Sequence, residues 1–341
     1  MRSFKIVLSV LICITLAAGV FFAGCTTSGK PRTKLVVPSS FTDEKMKPDG
    51  HADEKIWKKI KPAKLPTKGG PDVFMRSVHT DTDIYFLIEW ADATKEDISK
   101  VWEFDGTRWK NGPDQDKLSI LWDKSDSVAY FDIKGCEAVC HTEDPDADKW
   151  YMATNGRREK TDLWFWMAGI GNVYGFVNDR FLDDTIDPTL PKAARKQDRG
   201  EVGFLKNGYK APVEKIAPTR PTKKLVEGLT VESTPYPTID QMEDITSYRQ
   251  FKPGDKEPFI YFYGPPTDSQ ADVFGRANWK DGKWTLEMGR KLNTGHKDDM
   301  PFFVDRSGPK FYMFGLMISD HTEPPPIKHY TSPPVSLRID P

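Results

Sequence analysis

Cys136, Cys140 and His141, in the run Gly-Cys-Glu-Ala-Val-Cys-His, have the residue types and spacing to do chemistry. Two thiols followed at once by an imidazole is the layout that attaches a c-type haem. The thiols bond the porphyrin vinyl groups and the histidine ligates the iron. The usual spacing leaves two residues between the cysteines, and here there are three. The same thiols can instead close a small disulfide loop, since Cα atoms in a bent loop need only approach to about 5.5–6 Å. Zinc without haem is the weakest reading, because no nearby histidine pair completes a tetrahedral set.

The N-terminus restricts what these thiols can do. Arg2 and Lys5 precede an apolar run over residues 6–22, and Ala23-Gly24-Cys25 follows. A basic stretch, an apolar stretch and small residues before a cleavage point make an export signal. The junction resembles the lipobox of bacterial lipoproteins. That resemblance implies cleavage after residue 24 and lipid on Cys25; an uncleaved membrane anchor is the alternative. Cys13 then leaves with the signal, so Cys136 and Cys140 are the thiols that remain, in an oxidising compartment where idle thiols seldom persist. Thr26 after Cys25 is not aspartate, which favours the outer membrane of the cell envelope. The formal charge of −1 gives no footing for nucleic acid.

The elements that must position the site read as strands. The 27 prolines, 25 glycines and 10 tryptophans fit strands, turns and an aromatic core better than helices. Residues 84–90 alternate with period two and carry apolar side chains on both faces, as a strand inside a sandwich does. Strands are also expected over 74–79, 117–122, 161–167, 259–263, 271–279, 284–290, 310–318 and 335–339. Asp281-Gly282 between Trp279 and Trp284 is a hairpin signal. His51 and His79 read as turn residues. Residues 25–44 read as a lipidated end and flexible tether, 45–341 as one domain, and 183–251 as an inserted surface loop. Between residues 192 and 224 the insertion has ten basic and three acidic residues, a solvated surface or a patch for an acidic partner.

Several segments together resemble one family. They are Asp49-Gly50 with Trp57; the 84–90 strand ending in Trp90-Ala91-Asp92; Asp162-Leu163-Trp164-Phe165-Trp166; Asp272-Val273 with Trp279 to Trp284; and Pro334-Val335-Ser336-Leu337. In this order they are similar to the haem-binding domain of ethylbenzene dehydrogenase-related proteins. That domain is shared with the haem subunits of type II molybdenum enzymes of the dimethyl sulfoxide reductase family. The resemblance implies an all-β fold, an antiparallel β-sandwich with long loop insertions, few short helices and haem at its loop-rich end. In the molybdenum-enzyme subunits a methionine in a middle loop and a lysine near the C-terminus hold a b-type haem. The resemblance therefore implies that His141 replaces the methionine and that His321, Lys328 or His329 replaces the lysine. His329 is preferred, because imidazole is ready to bind near pH 7 whereas lysine must first lose a proton. Met152 is a further alternate, and Trp164 and Trp166 are candidates to line the haem.

The reading that results is an exported electron-transfer lipoprotein with no catalytic residues of its own. It carries haem, c-type preferred and b-type as the alternative. Its partners are periplasmic redox proteins or the catalytic subunit of a molybdoenzyme, and its lipid holds it to a membrane. A different class remains open: a carbohydrate- or ligand-binding sandwich with a Cys136–Cys140 disulfide and no haem.

Overall fold

The computed structural model describes residues 30–146, 150–185, 195–208, 219–320 and 329–341. Strands dominate, and the largest sheet has thirteen of them. Eleven run in one path: Arg195–Gln197, Asn178–Leu182, Thr161–Met167, Lys117–Asp123, Lys310–Ser319, Val335–Ile339, Leu35–Phe41, Val73–His79, Asp83–Ala91, Lys283–Lys291 and Phe274–Lys280. The sheet curls into two facing layers. Phe86 from one half meets Trp164 of the other with ring centres 5.8 Å apart, and Trp90 meets Trp166 at 5.9 Å. Both halves feed a single core of buried side chains. The segment leading into Asn178–Leu182 also touches the strand at the far end of the path, through Val177 N–H to Val273 O (2.8 Å) and Gly275 N–H to Gly175 O (3.0 Å). The fold is thus mostly β and sandwich-like, with few short helices.

Pairing is antiparallel except around Leu35–Phe41, which runs parallel to both Val335–Ile339 and Val73–His79. This corrects the tether reading for that stretch: residues 35–41 are a central strand, with Val37 and Ser39 fully buried. His79 is likewise not a turn residue. It ends a strand, fully buried, with Nδ1 3.1 Å from Ser39 Oγ, and burial depresses its pKa. The region read as a loop contributes strands in its described parts. Arg195–Gln197 extends the main sheet, and Lys223–Leu225 pairs with Met242–Asp244.

Several segments quoted for the resemblance prove to be joints of the fold. The backbone N–H groups of Gly50, His51 and Ala52 converge on Glu287 Oε2 at 2.9–3.2 Å, and Trp57 Nε1 donates to Glu287 Oε1 at 2.8 Å. A carboxylate buried within the sheet is thereby bonded, as burial demands. Trp279 Nε1 donates to Asp92 O at 3.0 Å, and Asp92 N–H donates to Gly282 O at 2.9 Å. The Asp281-Gly282 hairpin forms as expected, with φ of +52° and +76° at its two turn residues.

Candidate functional site

Strand Thr161–Met167 is buried along its whole length, so it has two covered faces. Trp164 and Trp166 enter the main core between the layers. Leu163 points the other way. It joins Leu121, Met313 and Leu182 in a second apolar cluster on the outer face, which Cys136, Val139 and Phe131 cover. The strand's period of two therefore separates the predicted site residues. Cys136 lies outside the sheet, and Trp164 and Trp166 lie inside it. The two tryptophans are core residues here and do not line the cysteine site. Trp164 instead packs against the Arg290 guanidinium, 4.9 Å from the ring centre.

The cysteine segment is a short 3-10 turn, Gly135–Val139, laid across strand Lys310–Ser319. Gly315 makes that approach possible: a Cβ there would sit 2.4 Å from Cys136 N and 2.9 Å from Cys136 Cβ. After the turn, Cys140-His141 pairs with Tyr151-Met152, placing Met152 opposite Cys140 and against the same apolar cluster. Both thiols are free. Cys136 is buried, Cys140 is half-buried, and Cys140 Sγ lies 3.5 Å from Cys136 O. Burial, with help from the Glu137 carboxylate, raises both thiol pKa values, that of Cys140 to about 11. These are protonated thiols in apolar surroundings.

His141 stacks on Tyr151, with ring centres 4.3 Å apart and planes at 15°. Its Nε2 is 3.1 Å from Ala153 O. A carbonyl only accepts, so Nε2 is the donor in this contact, and Nδ1 is the nitrogen that carries the lone pair whenever the ring is neutral. A backbone carbonyl on one ring nitrogen is the usual device for orienting a ligating histidine.

The structure also brings in the chain that carries His329. Strand His329–Thr331 pairs with Met317–Ser319 of the long strand, and Thr331 Oγ1 donates to Glu137 Oε1 at 2.8 Å. His329 is exposed and faces Ser319, four residues beyond Gly315, or roughly 13 Å along the strand from Cys136. His321, Lys328 and Cys25 lie outside the described residues, as does the apolar run 6–22. Among the described residues no helix is long and apolar enough to cross a membrane.

With this geometry in place, comparison with known proteins becomes informative. The ethylbenzene dehydrogenase family matches residues 54–312, most of the chain, and that span holds the cysteine turn and the strands beneath it. The chain belongs to the ethylbenzene dehydrogenase family. No curated protein matches this family member. Solved structures similar to it include two of a family 9 carbohydrate-binding module from Caldicellulosiruptor kristjanssonii, in complex with glucose and with cellotriose. Each is 7% identical with a TM-score of 0.34; 89% of this chain and 95% or 93% of the module are covered. A likeness of that size assigns no ligand.

Sequence reasoning missed the neighbours that complete the site. Arg180 and Arg195 both lie over the Phe165 ring, 5.6 Å from its centre, and the Arg195 charge acts on Cys140. They come from two strands, so no local spacing announces them. Glu137 sits between the cysteines in plain view. Its contact with Thr331 spans 194 positions and has no local signal.

Proposed function

We propose that this family member is an exported electron-transfer protein that holds haem on the outer face of its sheet. Cys136 and Cys140 would each add S–H across a vinyl group to form a thioether, with no change of oxidation state. His141 would ligate the iron. The observation that carries the reading is a pair of unpaired thiols next to an imidazole, with Cys136 and Met152 against one apolar cluster and Cys140 opposite Met152. Two thiols and an imidazole are the donor types that hold a porphyrin through sulfur, and the apolar cluster beside Cys136 and Met152 supports that reading. When bound, haem supplies a one-electron carrier. The chain's own residues orient His141 through Ala153 O and cover the cluster against water. His329, from the strand tied to Glu137, would be a second residue to hold the iron, with His321, Lys328 and Met152 as alternates. The protein would act as a carrier or haem subunit without its own catalytic centre. A periplasmic redox protein or molybdoenzyme subunit would be its partner, and lipid on Cys25 its link to the membrane. The sugar-binding alternative gains nothing from Trp164 and Trp166, which are interior.

The experiment is a spectrum. Protein expressed with a cytochrome c maturation system and reduced with dithionite is expected to show Soret, α and β bands. The haem should stay with the protein in acidified acetone. Fully matured protein without those bands would overturn the reading, and haem that extracts would make it b-type.

A further inference from the structure

The inner face of the same sheet holds a group of carboxylates for which the proposed electron transfer has no use. Asp162 and Asp179 are the second residues of adjacent strands, and Asp299 comes from the loop that crosses the end of the sandwich. One oxygen from each lies within 4.8 Å of the other two. The residues are 0%, 0% and 2% exposed. Asp198, 3% exposed, stands close enough for its charge to act on Asp179.

Charge does not balance there. Arg290 is the one fully buried cation among the described residues of the group. Its Nη1 lies 2.7 Å from Asp162 Oδ2 and 3.7 Å from Asp299. Lys124, at the margin, donates to Lys297 O. Hydrogen bonding does not balance either. Asp162 Oδ2 accepts from Arg290 and from Met300 N–H. Asp162 Oδ1, Asp179 Oδ2 and both oxygens of Asp299 are buried without a hydrogen-bond partner. Buried polar groups are almost always bonded, and an unpaired buried carboxylate is costly. Asp299 is decisive: nearly sealed from water, it turns oxygens that have no hydrogen bond toward two other acids, with only longer ion-pair contacts, to Arg290 (3.7 Å) and His296 (3.9 Å), among the described residues. The neighbouring Asp272–His296 pair is already satisfied at 2.7 Å and needs no further ligand.

We propose that Asp162, Asp179 and Asp299 bind a calcium ion that fastens the loop around Asp299 to the sandwich. Three carboxylate oxygens without sulfur or nitrogen are a hard-cation donor set, and calcium completes its shell with carbonyls and water.

The test uses the mature protein after chelation. Calorimetric titration with calcium chloride should show one ion per chain, and the unfolding temperature should rise with calcium concentration. Asp299→Asn and Asp179→Asn should each weaken binding by at least about tenfold. Asp162 is left intact because it holds Arg290. Terbium luminescence excited through tryptophan gives a readout on wild-type protein, since Trp164 covers Arg290. The proposal is overturned if the wild type binds no calcium at millimolar concentration and melts at the same temperature with and without chelator. Calcium affinity unchanged in Asp179→Asn would overturn it too. Neither outcome touches the haem reading, which the absorption spectrum tests separately.

Discussion

Gly315→Ala should dislodge the cysteine turn while leaving the sandwich beneath it folded. The added methyl would lie 2.4 Å from Cys136 N, 2.9 Å from its Cβ and 3.1 Å from its Cα. Non-bonded carbon contacts settle near 3.5–4.0 Å, so the turn must lift by about 1 Å. Backbone cannot rotate away as a side-chain tip can. Overpacking of this kind costs about 1–3 kcal/mol, and the ordinary Gly-to-Ala gain returns about 0.5–1 kcal/mol. A net loss of roughly 1–2 kcal/mol is expected in urea denaturation of the reduced, haem-free protein. The lifted turn should also expose Cys136, which is only 5% exposed in the wild type, and speed its reaction with a thiol reagent. Gly156→Ala is the control, because nothing lies within 4 Å of the added carbon. Wild-type stability together with wild-type Cys136 reactivity in Gly315→Ala would refute the placement of the turn.

Other expectations follow from individual side chains. Asp123 accepts from the N–H groups of Ser127 and Val128 and so starts the turn that leads to the cysteines; burial raises its pKa to about 7. A carboxyl raised on folding adds stability below pH ~4, and that contribution is lost as pH rises through about 7. Asp123→Asn should therefore flatten the stability profile between pH 4 and 8, by roughly 2–4 kcal/mol across that window, measured by denaturation at each pH. Trp164→Ala should cost about 3–5 kcal/mol by opening the core, yet leave the shape of the haem spectrum unchanged. A spectral change with unchanged stability would return Trp164 to the haem site. His329→Ala should keep the fold and turn low-spin iron high-spin, with His321→Ala and Lys328→Ala as controls. A wild-type spectrum in His329→Ala beside a changed control would move the ligand.

Local patterns made much of the sheet legible. The alternation over 84–90 predicts strand Asp83–Ala91, and the Asp281-Gly282 turn predicts the hairpin of Phe274–Lys280 with Lys283–Lys291. Leu35–Phe41 was not legible. Pro38 and two serines interrupt its apolar run, and its parallel partners lie about 40 and 300 residues away. For the site, the sequence brings Cys136, Cys140 and His141 together because they are neighbours. It misplaces Trp164 and Trp166, because composition cannot say which face of a strand buried on both sides looks toward the cysteines. The acid group at Asp162, Asp179 and Asp299 joins residues up to 137 positions apart, and each aspartate alone looks ordinary.

The central claim is that Cys136 and Cys140 carry haem, and intact mass under denaturing conditions tests it most directly. Protein matured with a cytochrome c system is predicted to weigh the polypeptide plus one haem. Cys136→Ala/Cys140→Ala should lose that increment. A matured wild type with the mass of the bare polypeptide and no Soret band would contradict the account.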